Sequence, residues 1–366
     1  MSRERVAVAL SGGVDSSIAA LLLKGAGYEV TGIHMRLWDC PDSEYQARRI
    51  QNICRILDIP LHILDLQKQF ERHVVDYFCL DYERGRTPNP CTACNQHIKF
   101  GFLLDKALSL GADYLATGHY ARVEHSANGY HLFKAADIEK DQSYFLYTLS
   151  QERIKHLLFP LGNNTKAKVR QIAKEEGLPV AARSSQDVCF LSQRNYRPFL
   201  RQRFSPSPGE IVDARGEILG HHEGIAFYTI GQRHGLGVAS SKPLYVIGIE
   251  PENNRIVLGG ERELYSQRIM AKKVTWVATK APSGPITVTA KIRYRSNEAV
   301  AIVSPTRHCE EGEAICDIWF PHPQRAIAPG QAVVFYKGDE VFGGGTIEGS
   351  EPVTLGKKQY VAATEL

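Results

Sequence analysis

The chain has no run of the roughly 18 apolar residues that a membrane-crossing helix needs. The first apolar run, "VAVAL", gives way to Ser11-Gly12-Gly13 after five residues, which is too short for the core of a secretory leader. A cytoplasmic protein with no membrane partner is therefore expected. Cysteine is scarce, 8 in 366 residues, and a reducing compartment excludes a disulfide framework. Cys40, Cys54, Cys79, Cys309 and Cys316 then read as small buried hydrophobes. Two phosphate-binding signatures are also missing. Neither GxxxxGK[ST] nor GxGxxG occurs after the first apolar run, so a Walker-type ATPase and a dinucleotide-binding site both lack their fingerprints.

Net charge is small, +4 overall, but unevenly spread. Residues 1–203 carry 27 basic and 22 acidic side chains, whereas 204–366 carry 17 and 18. Within 153–203 the balance is 11 to 3, a local excess suited to a polyanion, with Lys166, Lys168 and Arg170 on its first helical stretch.

The first half alternates apolar strands ("VAVAL", "EVTGIHM", "LHILDL", "DYLATGH") with helical patterns, the signature of a parallel sheet covered on both faces. A hairpin is predicted over 123–134, turning at Asn128–Gly129. After "SPSPGE" near 205 the texture changes to short alternating strands and frequent glycine, which predicts small β domains. The expected division is 1–203, an α/β nucleotide-binding domain; 204–270, a small central β domain; and 271–366, a C-terminal β-barrel-like domain.

"ALSGGVDSS" joins the first strand to the first helix and has the physics of a phosphate cradle. Gly12 and Gly13 let amides point inward, Ser11 and Ser16 add hydroxyls, and the helix supplies positive dipole. Asp15 suits either an N-cap or a carboxylate holding Mg²⁺ on a pyrophosphate group.

This loop resembles the PP-loop of ATP pyrophosphatases. With "GIHMRLWD", "TPNPCTACNQHIKFG", "ATGHYAR", "KDQSYFLYTL", "SSQDVCFL" and "GEIVDARGEILGHHEGIAFYTIGQRHGLGV", nearly the whole chain resembles the tRNA-specific 2-thiouridylases. The resemblance implies ATP-dependent adenylation of the C2 oxygen of the wobble uridine, then sulfur transfer giving 2-thiouridine, AMP and pyrophosphate. It places ATP on Ala9, Leu10, Ser11, Gly12, Gly13, Val14, Asp15, Ser16, Met35 and Gly118, with Mg²⁺ as helper. It places tRNA on Asn89, Pro90 and Cys91 at the target base, and on His119, Lys140, Asp141, Gln142, Arg293, Tyr294 and Gln331. Cys94 is implied as nucleophile and Cys189 as persulfide carrier, with Arg183 among the cations favouring thiolates.

The best-known family pattern has Asp where this chain has Cys91. That departure leaves two readings open. One is a Cys94–Cys189 persulfide relay. The other is a [4Fe–4S] cluster on Cys91, Cys94 and Cys189 with one open iron. No pyridoxal-phosphate or sulfurtransferase module is evident, so sulfur is expected from a cysteine desulfurase or relay protein.

Overall fold

The computed structural model describes residues 3–39, 43–180, 188–191, 195–277, 281–306 and 314–352. Its first domain is built on β1 (Arg5–Ala9), β2 (Glu29–Arg36), β3 (Leu61–Asp65), β4 (Tyr114–Ala116) and, after the hairpin β5 (Ala121–Ser126) and β6 (Gly129–Lys134), β7 (Leu157–Leu158). The sheet is parallel throughout, in the order β3-β2-β1-β4-β7. β1 is central, and Val6 and Val8 are buried on one face and Ala7 on the other, as a doubly covered strand requires. The first helix, Val14–Gly25, packs on one side through Ile18, Ala19 and Leu23. β7 escapes the sequence pattern because two residues carry no periodicity.

The hairpin forms as expected, with Ser126 facing Gly129 across the turn. It leaves the parallel sheet and joins the last strand, β17 (Glu340–Pro352), through Phe133 and Glu340.

The middle domain comprises β8 (Gly209–Asp213), β9 (Ile218–His222), β10 (Tyr245–Glu250) and β11 (Arg255–Gly259), ordered β10-β11-β8-β9. The last domain is a closed six-stranded barrel of β12 (Tyr265–Trp276), β13 (Ile286–Lys291), β14 (Ala299–Thr306), β15 (Ile315–Arg325), β16 (Ala332–Lys337) and β17 (Glu340–Pro352), closed by β12 pairing with β17. Closure removes the free edges that isolated strands would expose. β12 runs unbroken through residue 270, the expected second boundary, so the strand belongs to the barrel from its first residue.

Two cores cross domain borders. Tyr144, Leu146 and Tyr147 of the first domain pack with Val334, Tyr336 and Val341 of the barrel. Phe70, Phe78, Cys94 and Phe190 pack with Ile211, Phe227 and Val246 of the middle domain. The thiol-bearing segments are thus fixed by the middle domain, and the loop before them is held by the barrel.

Candidate active site

The phosphate loop leaves β1 at its C-terminal end. Gly12 adopts φ +73°, a left-handed conformation that glycine alone takes without cost. The hydroxyls of Ser11 and Ser16 lie 3.2 Å apart, and those of Ser16 and Ser17 donate to the Gly13 carbonyl at 3.2 and 2.9 Å. Helix Ser43–Leu57 closes over the loop. Gln46 donates to the Ser11 carbonyl at 2.9 Å, and Arg49 lies beside Gly12, its buried Nε lacking a partner among the described residues. A donor left unpaired above a glycine cradle fits a bound phosphate.

Asp15 is not the N-cap. The helix starts from Gly13 without a side-chain cap, and the Asp15 carboxylate turns away to accept from Lys166 Nζ at 2.5 and 2.6 Å and from Tyr120 Oη at 2.9 Å. This corrects the reading of Lys166 as part of a polyanion surface. Lys166 is buried at the start of helix Lys166–Glu175, whereas Lys168 and Arg170 on the same helix are exposed.

The end of β4 closes the cradle. A Cβ on Gly118 would lie 2.7 Å from the Asp15 carbonyl carbon and the Ser16 nitrogen, so only glycine fits. Met35 is half-buried at the end of β2. It packs against the core shared with the barrel and also against the core that holds Cys94.

The cysteine loop is built locally. Asn89 Oδ1 accepts from Thr92 N at 3.2 Å, and Pro90 occupies the first helical position, where a missing N–H costs nothing. Cys91 therefore faces outward on the first turn and Cys94 is buried. From Cys94 to Leu103 the chain is π-helical. Cys189 is exposed, but Phe190 beside it is 4% exposed and packs edge-on against Phe70 and Phe78, with ring centroids 5.8 and 5.2 Å apart. Phe190 and Cys94 share one core, which brings together two cysteines nearly a hundred residues apart.

The three thiols feel one another's charge. Burial pushes Cys94 up to about 12, with Lys99 opposing and Cys189 and Cys91 adding to the rise. Cys91 and Cys189 open to solvent in a crowded cleft, and desolvation raises both, again with Lys99 opposing. Arg183, expected to be one of the cations here, lies outside the described residues, as do Cys40 and Cys309. Cys54 and Cys316 are buried, as small hydrophobes should be, and Cys79 is half-buried. Among the described residues no three His, Cys, Asp or Glu side chains converge to hold a metal ion.

Of the residues assigned to tRNA, several spend their polar atoms inside the protein. Asp141 is buried and accepts from Ala135 N, Ser143 N and Ser143 Oγ. His119 is buried between Phe100 and Phe159. Gln142 Oε1 accepts from Tyr120 N. Gln331 Nε2 donates to the carbonyls of Thr87 and Pro88, bracing the cysteine loop from the barrel. Arg293 is exposed, Lys140 and Tyr294 are half-buried, and Tyr294 packs on Phe145 at 4.5 Å. Sequence reasoning missed Lys99, Tyr120, Arg49 and the anchor Phe190. Lys99, Tyr120 and Phe190 lie within the runs that carry the resemblance, but nothing in those runs marks their roles, and Arg49 lies outside them.

Comparison with known proteins gives a consistent picture. Residues 4–193 match the family described as the tRNA methyl transferase HUP domain, 197–260 its PRC-barrel domain and 266–347 the aminomethyltransferase beta-barrel domain. The tRNA-specific 2-thiouridylase MnmA of Moorella thermoacetica is 48% identical over 93% of this chain and 98% of its own. That of Acetivibrio thermocellus is 44% identical over 95% and 100%. Among solved structures, the U34-tRNA thiolase NcsA from Methanococcus maripaludis with its [4Fe-4S] cluster overlaps 55% of this chain and 64% of its own at 19% identity, with a TM-score of 0.35.

Proposed function

Because the chain belongs to the tRNA-specific 2-thiouridylase family, we propose that it adenylates the C2 oxygen of a tRNA wobble uridine with ATP and replaces that oxygen with sulfur through Cys189 and Cys94. The observation that carries this reading is the end of β4. Gly118 lies against the phosphate loop, and the next residue, His119, contacts Lys99 in the helix that begins at Cys94. This chain of contacts supports a nucleotide cradle and a thiol centre sharing the C-terminal edge of a parallel sheet, the usual ligand site of open α/β folds.

Each part of the site has a task. The loop amides, Ser11 and Ser16 bind the polyphosphate, and Arg49 supplies a further donor. Asp15 is the carboxylate that would hold Mg²⁺, which neutralises charge on the departing pyrophosphate. Met35 and Gly118 line the nucleotide. Asn89, Pro90 and Cys91 border the extruded base, whose C2 edge is reachable only outside a stack. Lys140, Arg293 and Tyr294 offer surface for tRNA, and exposed Lys168 and Arg170 neutralise phosphates.

The uridine O2 attacks the α-phosphorus as N3 gives up its proton to solvent, and pyrophosphate leaves. The terminal sulfur of a Cys189 persulfide, loaded by a desulfurase or relay protein, then attacks C2, and AMP departs with the oxygen. The Cys94 thiolate attacks the Cys189 sulfur and breaks the S–S bond. N3 takes up a proton, leaving 2-thiouridine and a Cys94–Cys189 disulfide. A dithiol reductant restores both thiols.

The test uses purified protein, unmodified tRNA, ATP, a persulfide donor and dithiothreitol. Formation of 2-thiouridine that disappears in both Cys94→Ser and Cys189→Ser is expected, with Cys91→Ser active. Full activity in either of the first two would remove the relay.

A further inference from the structure

The site described so far contains two thiols that must act as anions inside protein, and burial opposes the charge on both. A nearby cation is needed. Lys99 lies five residues beyond Cys94, a spacing that diverges in an α-helix of 3.6 residues per turn. The segment Cys94–Leu103 is π-helical, however, and an i→i+5 ladder puts residues five apart one turn above each other. Lys99 thereby comes onto the face of Cys94.

Its head group is held rather than free. Lys99 Nζ lies 3.3 Å from His119 Nε2, and His119 Nδ1 lies 2.7 Å from Thr117 Oγ1. An ammonium only donates, so Nε2 must be the acceptor and Nδ1 must carry the proton that goes to Thr117. The ring is buried between Phe100 and Phe159, and desolvation together with Lys99 holds His119 far below its usual value, keeping it neutral. Lys99 is also the cation common to the surroundings of all three thiols.

We propose that Lys99 is the electrostatic partner of the sulfur anions, aimed at them by the Thr117–His119 pair, and that it drives sulfur transfer rather than adenylation. It takes no proton. It stabilises the Cys94 thiolate as that attacks the Cys189 sulfur, and the negative sulfur that remains on C2. His119 is then a positioning residue. This assignment deepens the relay reading and rests on it.

The experiment measures pyrophosphate released per 2-thiouridine formed, under single turnover with persulfide-loaded enzyme. In Lys99→Met the ratio should rise by about tenfold or more, while Lys99→Arg stays within about twofold of wild type. An unchanged ratio in Lys99→Met, with Cys94 and Cys189 still essential, would overturn the role of Lys99 and leave the relay standing. Should Lys99→Met not fold, Lys99→Gln is read in its place with the same rise expected and the same unchanged ratio overturning the role, and a high ratio in the charge-retaining Lys99→Arg would also contradict it. Thiolation that persists without Cys94 or Cys189 would instead overturn the relay itself.

Discussion

The Lys166 ammonium sits 2.5 and 2.6 Å from the two carboxylate oxygens of Asp15, so the acidic residue of the phosphate loop is neutralised before any nucleotide arrives. Mg²⁺ bound to Asp15 would displace this lysine and leave it beside the polyphosphate. Lys166→Met is therefore expected to raise the KM for ATP about tenfold and leave tRNA affinity within about twofold. It should also destabilise the fold by roughly 2 kcal/mol, less than a fully buried pair because Asp15 is partly open to water. Titrations of ATP and tRNA, with a melting curve, check all three.

Lys168→Glu with Arg170→Glu should give the opposite pattern. Both side chains are exposed on one helix. Their reversal should weaken tRNA binding and flatten the slope of log affinity against log salt by about 1–2, with the KM for ATP unchanged. Binding measured at several salt concentrations reads this directly.

Gly118→Ala places a methyl 2.7 Å from the loop backbone, where no flexible side chain can yield. ATP binding should fall at least about tenfold while tRNA still binds, since the clash is confined to the cradle. Equal ATP affinity in the two proteins would contradict the placement of this strand end.

The thiols should differ in reactivity. Cys91 and Cys189 are exposed and Cys94 is buried, so iodoacetamide at neutral pH should label the first two and spare Cys94 until the protein unfolds. The sign for stability follows from the raised Cys94 value. The native state keeps its proton more tightly than the unfolded chain, so this contribution is complete below the unfolded thiol's pKa of about 8.5. It is lost as pH climbs towards about 12. Wild type should accordingly lose more stability than Cys94→Ala across that alkaline window, measured by urea unfolding.

What the sequence revealed was local. "SGGVDSS" after an apolar strand and the Asn128–Gly129 turn each depend on neighbouring residues. What it hid was long-range or geometric. Gln331 braces Thr87 across 244 positions, Lys166 reaches Asp15 across 151, and neither partner marks the other in sequence. Lys99 was missed because a spacing of five is unremarkable until the helix widens to a π-form. The ring of His119, which the resemblance gives to tRNA, is packed by Phe100 and Phe159 from elements far from "ATGHYAR" in sequence. Nothing in "SSQDVCFL" marks Phe190 as an anchor, though its ring enters the core that holds Cys94 and so seats the exposed Cys189 over it. Phe190→Ala should cost about 3–5 kcal/mol and sharply reduce thiolation.

The most direct test is non-reducing peptide mapping after one turnover of persulfide-loaded enzyme without reductant. The relay predicts about one Cys94–Cys189 disulfide for every 2-thiouridine formed. Thiolated tRNA appearing while both cysteines stay free, or become linked elsewhere, would contradict it.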